Sequence, residues 1–450
     1  VRRKEERYNC AETVAMPPSS LILAWLAPLT VMSAIPTWEY KGYESFPAMV
    51  FGGNVTAPGL NSEPQLRFDT RHQLVGTATF GDEGMKKPEQ LAAAAAGNRS
   101  GYITPAEEWQ AANFRNLEQF AKTTPGAKAQ GFYAYRQAMY ALYYFNSTNY
   151  FLDNPSLLWH DDQDRICWYE FGALYNFSAP GFEDAFMEHV IEEICDEAGA
   201  SGINAVFFDG VDGLGIMPPR GAPFGTNCSM EHLNMNDQDF LDLMKAQAKV
   251  FARAAVRLNS CGVWPMYSFG GAIDEKIAKN RGYPASETVA LEILASSNAT
   301  WSRYYEYWQV GAWGVSCGYN IENALVESRM YGVPLTAHAY PAGGGAGGEF
   351  NTSATYSVAA FLIVQSDYSY YGISSILPAC KGMARQWSDC GYVWHDEYDM
   401  KYGKPLGAAK QISNGVWIRD FENAIVMVDE NRSTANITVL DPPRQFLYGL

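Results

Sequence analysis

The residues in this sequence best suited to chemistry are carboxylates set at the ends of, or inside, apolar segments. Gly202-Ile203-Asn204-Ala205-Val206-Phe207-Phe208-Asp209-Gly210 is an apolar run that stops at an acid. Its uncharged, β-favouring core from Ile203 to Phe208 has the pattern of a strand buried on both faces of a parallel sheet. The closing acid can cap the Asp-Gly turn that follows. Alternatively it stands at the rim of an alternating strand and helix barrel, where loops converge and active sites are built. The second reading makes Asp209 the first catalytic candidate. Val289-Ala290-Leu291-Glu292-Ile293-Leu294 reads as a further strand, and Glu292 inside it must be paired, protonated or placed in a cleft. On non-adjacent strands of one barrel, two such carboxyls could face each other across its mouth. One protonated and one ionised, they form the pair that hydrolysis of a glycosidic bond requires.

Other residues could support that pair. Asp212 could be the working acid, with Asp209 orienting it. Glu306 lies among aromatics in Trp301-Ser302-Arg303-Tyr304-Tyr305-Glu306-Tyr307-Trp308; on a helix, the preferred reading, it would pair with Arg303 at i−3. Asp82 follows an expected strand at Leu74 and could line the mouth. His338, at another strand end, either binds a sugar hydroxyl or a carboxylate, or is a satisfied core histidine. Trp168, Trp301 and Tyr340 are candidates for stacking on sugar rings, and Trp394 lies near the same loops, although most tryptophans serve as core. His395, Asp396, Glu397 and Asp399 resemble a metal site only on paper, because contiguous ligands cannot all converge on one ion. No His-Glu-x-x-His or Walker motif is present. Neither a metal nor a cofactor is expected.

The elements that would hold these residues alternate. Expected strands are Phe46–Phe51, Leu74–Phe80, Ala129–Tyr135, Cys167–Phe171, Ala205–Asp209, Val263–Phe269, Val289–Leu294, Val333–Tyr340 and Tyr368–Gly372, one more than an eight-stranded barrel uses. Between them run amphipathic helices at Pro105–Ala121, from Phe182 onward and at Asp237–Leu258. The last begins acidic and ends with Lys249, Arg253 and Arg257, matching the helix dipole. Glu322–Met330 and Ser353–Val364 complete the set. Gly343–Gly348 reads as a mobile loop at the rim. Past Gly403 the texture becomes alternating and turn-rich, an antiparallel β appendage. The domain reading is an apolar arm over 1–44, a (β/α)8 TIM-type barrel over 45–402 and the appendage over 403–450, all in the α/β class.

Composition narrows the surroundings. The 450 residues are 47% hydrophobic and carry a net charge of −16, which argues against nucleic acid as a partner. Asn-x-Ser/Thr sequons occur at Asn54, Asn98, Asn146, Asn176, Asn227, Asn298, Asn351, Asn431 and Asn436, nine of 24 asparagines. Chance would give about three. Eight cysteines lack paired C-x-x-C spacing and read as disulfides of an oxidising compartment, with Cys380–Cys390 as one local loop and Cys195 as an alternative buried thiol. These features point to a secreted or cell-surface eukaryotic glycoprotein bearing N-linked glycans. Leu21–Ala34 is too short to span a bilayer comfortably. It has the length of a signal peptide's apolar region, with Arg2, Arg3 and Lys4 upstream, but reads preferentially as a buried strand or helix, or else residues 1–36 dock into a neighbouring copy.

Several segments resemble a known family. Pro180 through Asp212, Phe361-Leu362-Ile363-Val364 through Asp367-Tyr368-Ser369-Tyr370-Tyr371-Gly372, Glu397-Tyr398-Asp399, Gly403-Lys404-Pro405-Leu406-Gly407 and Trp417-Ile418-Arg419-Asp420-Phe421-Glu422-Asn423 are similar to the hypothetical glycoside-hydrolase-like barrels of microbes and algae. The resemblance covers roughly 45–440. It implies a TIM-type barrel with a small β extension, action on a glycan, and a catalytic role at Asp209 first and Glu292 second. The expected function is hydrolysis of an extracellular polysaccharide or glycan by two carboxylates. The alternative is a non-catalytic barrel subunit of an extracellular fibre or coat, assembled through its amino-terminal arm.

Overall fold

The computed structural model describes residues 36–51, 67, 70–77, 106–142, 147–169, 172–211, 228, 237–268, 286–305, 321–322, 324–325, 328, 332–339, 353–373 and 394–440. Its strands are, in chain order, β1 Met49–Phe51, β2 Leu74–Thr77, β3 Gly131–Gln137, β4 Tyr140–Leu142, β5 Trp168–Tyr169, β6 Gly172–Leu174, β7 Ala205–Asp209, β8 Trp264–Ser268, β9 Ser302–Tyr305, β10 Leu335–Ala339 and β11 Tyr370–Ile373. Eight of them form one parallel sheet in the order β1-β2-β3-β7-β8-β9-β10-β11. Ala48 bridges Tyr371 in parallel, and the Tyr371 N–H donates to Pro47 O at 3.0 Å, so the last strand meets the first. The fold is a TIM-type barrel. β4, β6 and β5 form a small antiparallel sheet inserted between β3 and the helix that leads to β7.

Helices α1 Ala106–Thr123, α2 Ser147–Asp153, α3 Phe182–Phe186, α4 Glu192–Ser201, α5 Asp237–Ser260, α6 Ser286–Ala295 and α7 Ala354–Val364 accompany the sheet, with a π turn at Met187–Ile191 joining α3 to α4. Residues of β7 and β8 that point outward meet α5: Phe208 and Tyr267 pack on Phe251, and the Tyr267 hydroxyl donates to Phe251 O at 2.9 Å. The basic end of α5 is anchored by charge as well as by dipole, since Arg253 bonds Glu183 and Asp184 and Arg257 bonds Glu192. α7 is apolar on every side. Ser353 caps it by accepting the Tyr356 N–H, and Tyr356 to Val364 are all buried. An all-round apolar helix must be covered on both faces. Here Ala337 and Tyr371 of the barrel lie on one side, and Trp417, Val426 and Val428 of a second sheet on the other. That sheet is the antiparallel appendage β12 Lys410–Ser413, β13 Val416–Asp420, β14 Ala424–Asp429 and β15 Thr434–Val439.

The amino-terminal end of the barrel is closed by its own chain. Trp38 Nε1 donates to the Tyr370 hydroxyl at 2.7 Å and its ring meets Trp264 edge-on at 5.6 Å. The Tyr40 hydroxyl donates to Ser369 O at 3.1 Å. The described end of the amino-terminal stretch, 36–44, therefore packs beneath its own barrel, while 1–35 lie outside the described residues.

Three expected elements are corrected. Val289–Leu294 lies in α6, not in a strand. Leu291 and Leu294, three apart, are buried while Glu292 is exposed, the spacing of a half-buried helix that a six-residue apolar run cannot reveal alone. Conversely Ser302–Tyr305, within the stretch read as a helix, is barrel strand β9, where Tyr304 and Arg303 are both buried. Cys167–Phe171 contributes β5 to the inserted sheet instead of the barrel.

Candidate functional site at the barrel mouth

Asp209 is the last residue of β7, and its side chain is half-buried at the carboxyl-terminal rim. In register with it across the β3–β7 pair stands Gln137, the last residue of β3. Two donors converge on the same carboxylate oxygen: the Tyr135 hydroxyl lies 2.9 Å and Gln137 Nε2 3.3 Å from Asp209 Oδ2. The orientation of the Gln137 amide is fixed, because its Oε1 accepts the Ala138 N–H at 2.8 Å and so turns the NH2 group toward Asp209. Gln137 Nε2 also reaches the hydroxyls of Tyr135 at 3.3 Å and Tyr140 at 3.1 Å. Hydrogen bonds donated to a carboxylate favour its charged form. The chain then turns away sharply. Gly210 has φ +75°, and a Cβ there would stand 3.1 Å from Gln137 Oε1, so glycine lets Asp209 sit close against its holder.

Below this rim the barrel is packed with aromatics. Phe207, two residues before Asp209 and on the same side of β7, stacks on Tyr304 at 3.9 Å, and Tyr304 meets His338 edge-on at 6.0 Å. His338 is 2% exposed. Burial pushes its pKa down to about 3, so the imidazole is neutral at ordinary pH and can accept as well as donate.

A disulfide joins the chain downstream of Asp209 to the inserted sheet. Cys228, downstream of Asp209, is bonded to Cys167, which adjoins β5 of the inserted sheet, and both are buried. Behind the rim, buried Arg136 pairs with Glu197 of α4 at 2.6 Å and donates to Tyr135 O at 3.0 Å. Arg136 lies between Tyr135 and Gln137 in sequence, so this ion pair fixes the strand segment that presents both holders.

The candidate residues separate clearly. Glu292 sits near the carboxyl end of α6, which leads within seven residues to the start of β9 and hence to the opposite, amino-terminal end of the barrel. It is exposed on the helix, and pairing it with Asp209 across the mouth is corrected. Trp301 precedes β9 at that same lower end, is 3% exposed and packs on Tyr267, so it is core and not a stacking platform. Trp394 is likewise remote, held under the Arg71 guanidinium at 3.8 Å beside the amino-terminal end of β2. Trp168 lies on β5. Asp82, Asp212, Glu306 and Tyr340 lie outside the described residues, as do sequons Asn54, Asn98, Asn146, Asn227 and Asn351. Cys195 is bonded to Cys261 and is not a free thiol, whereas Cys380 and Cys390 fall outside the description. Asp396–Tyr398 form a single 3-10 turn, and among the described residues no group of His, Cys, Asp and Glu is arranged to hold a metal ion. A cavity of about 330 Å³ lined by Tyr43, Gln365, Asp367 and Arg419 opens at the base, between barrel and appendage, away from Asp209. Arg419 there donates to the last carbonyls of α7, a structural role.

Tyr135 and Gln137 were not singled out from the sequence. The signal was there in Tyr133-Ala134-Tyr135-Arg136-Gln137, where alternation puts Tyr133, Tyr135 and Gln137 on one face and leaves a polar residue at the strand end, as in β7.

The hypothetical glycosyl hydrolase family 15 matches residues 343–425. That stretch spans α7, β11 and the appendage through the start of β14, and it excludes Asp209. Among solved structures, the GH36 α-galactosidase AgaB of Geobacillus stearothermophilus aligns with 86% of this chain and 47% of its own at 10% identity and a TM-score of 0.39. The catalytic domain of a β-amylase from Paenibacillus polymyxa aligns over 72% of this chain and 91% of its own, at 9% identity and 0.38. Fpglu1 from Fervidobacterium pennivoraus covers 74% and 80%, at 12% and 0.40. The chain spans about half the length of the α-galactosidases it matches. No curated protein matches it. Among the described residues no helix is long and apolar enough to cross a membrane.

Proposed function

We propose that this chain is a secreted glycoside hydrolase acting on an extracellular polysaccharide or glycan, with Asp209 as its ionised carboxylate. The observation that carries the reading is the position of Asp209 at the carboxyl-terminal rim of a parallel barrel, held by two donors that stabilise its charge. In that state it serves as nucleophile toward the anomeric carbon or as base toward a water, while a second, protonated carboxyl donates to the leaving oxygen. With Glu292 at the far end, the second acid is sought on the mouth-facing loops. Glu306 follows β9 directly in sequence, two strands round from β7, and replaces Glu292 as the proposed partner. Asp212 and Asp82 are supporting candidates. The inserted sheet carrying Trp168 and the linked Cys167–Cys228 segment would border the bound sugar. Secretion is supported by two disulfides among the described residues and by sequons at exposed Asn298, Asn431 and Asn436.

The test is release of reducing ends from a panel of algal and plant polysaccharides by the wild-type protein, D209N and E306Q. Activity lost in both variants supports the pair, and wild-type activity in D209N rejects the assignment. A wild-type protein inert on every substrate would turn the reading toward the non-catalytic barrel of a fibre or coat.

A further inference from the structure

The appendage sheet has two unlike faces. Ala424, Val426 and Val428 of β14 are buried beneath it with α7, so Ile425, Met427 and Asp429 point the other way. Register sets Ile418 of β13 directly opposite Met427 on one side, and Asn436 of β15 directly opposite it on the other. Ile418, Met427 and Asn436 thus form one row across three strands, with Ile425 a step along. Side chains so placed are about 5 Å apart at Cβ. Met427 is 38% exposed, a large apolar side chain at the centre of an open face.

Asn436-Ile437-Thr438 is a sequon whose acceptor stands at the end of that row. Ala435 and Ile437 pack against the core below, leaving Asn436 and Thr438 exposed on the outer side, with Asn436 Nδ2 donating to Thr438 Oγ1 at 3.3 Å. The other sequons that are fully described differ. Asn431 Nδ2 donates to the Asn414 carbonyl at 2.8 Å and lies against Gly415. Thr300 of the Asn298 sequon is half-buried and its hydroxyl donates to Asn259. Asn176 is half-buried and its Oδ1 accepts the Ser178 N–H at 3.1 Å. Among the described residues, only at Asn436 are both the asparagine and its hydroxyl partner exposed.

We propose that Asn436 carries an N-linked oligosaccharide that lies over the Ile418–Met427 row and shields this face from association. The inference rests on the secreted reading above. The modification forms a bond from Asn436 Nδ2 to the anomeric carbon of an oligosaccharide carried on a lipid diphosphate. The bond from that carbon to the diphosphate breaks, the lipid diphosphate leaves with the electron pair, and the amide proton passes to a base. Sugar rings have apolar C–H faces suited to Met427 and Ile418, and an exposed apolar patch that is left uncovered invites association. Among the described residues β15 is also an edge strand, and a bulky group beside it hinders strand addition.

The full chain is expressed in a secreting eukaryotic host, and its glycopeptides are analysed by mass spectrometry for the wild type, N436Q, T438A and T438S. Expected is a glycan on the Asn436 peptide that disappears in N436Q and T438A and persists in T438S. N436Q should bind an anilinonaphthalene dye several-fold more strongly or form dimers, and adding M427T should reverse this. An unmodified Asn436 beside occupied sequons elsewhere overturns the site. A glycosylated Asn436 whose N436Q variant gains neither dye nor dimers overturns the shielding. Sequons empty throughout the chain instead overturn the secreted reading itself.

Discussion

Gln137 donates from Nε2 to Asp209 Oδ2 at 3.3 Å while its own Oε1 is held by the Ala138 N–H, so one rim residue orients the next across paired strands. Tyr135 adds the shorter bond, at 2.9 Å. A hydrogen bond to a charged group contributes about 1.5–3 kcal/mol, equivalent to roughly 10- to 100-fold in rate when the group is placed for reaction. Y135F and Q137L should each lower kcat by about that factor, with KM little changed and the denaturation midpoint within a small margin of wild type. A loss confined to stability would make both residues structural only.

Much of this arrangement was legible in the residues. The run ending at Asp209 had to be a doubly buried strand, and an acid closing it had to stand at a rim, which the structure bears out as β7. The helix expected at Ser353–Val364 is α7, and the alternation past Gly403 marked the antiparallel appendage. Glu292 was misplaced for a physical reason. Leu291 and Leu294 face inward from a helix squeezed against neighbours, and the surrounding apolar residues hide the 3.6-residue period over so short a stretch. Arg303 misled in the opposite sense. The stretch was read as a helix on which Arg303 would pair with Glu306 at i−3, whereas Arg303 lies on β9 and is 2% exposed. The Gln137–Asp209 bond depends on register between strands more than 70 residues apart, which no local pattern encodes.

The relocation of Glu292 yields a direct check. As an exposed side chain on α6, it should tolerate E292Q with activity within about twofold of wild type and stability within roughly 0.5 kcal/mol, as for other surface substitutions. A collapse of kcat in E292Q would restore it to the mouth.

The two disulfides among the described residues should behave differently. Cys167–Cys228 and Cys195–Cys261 span 61 and 66 residues, so chain entropy assigns each about 4 kcal/mol. Removing either pair by Cys→Ser substitution should lower the thermal midpoint by a similar amount. Only loss of Cys167–Cys228 should also depress kcat, since it ties the chain beyond Asp209 to the inserted sheet, whereas Cys261 lies at the lower end of α5. Equal activity in both variants would remove the first disulfide from the site.

Glu197 is buried and carries the charge that balances Arg136. Removing one partner of a buried ion pair leaves the other charge uncompensated, at a cost of about 3–5 kcal/mol. E197A should therefore lose that much stability in chemical denaturation, and R136M/E197L should recover a substantial part of it. A double variant no better than the single one would show that the pair itself, and not the stranded charge, holds α4 to β3.

His338 makes stability depend on pH in a determinable direction. Its ordinary pKa of 6.5 applies in the unfolded chain, and burial lowers it to about 3 in the folded one. Between those values the unfolded chain binds a proton that the folded chain does not, so stability rises with pH through this window and falls as pH is lowered from about 6.5 toward 3. One group gives a slope approaching about 1.4 kcal/mol per pH unit. H338Q lacks the titrating imidazole and keeps polar atoms in its place. Moving from pH 7 to pH 5 should destabilise the wild type by about 2 kcal/mol more than H338Q, read as the difference between their denaturant midpoints. Curves that stay parallel down to pH 5 would mean that His338 accepts its proton in the folded barrel.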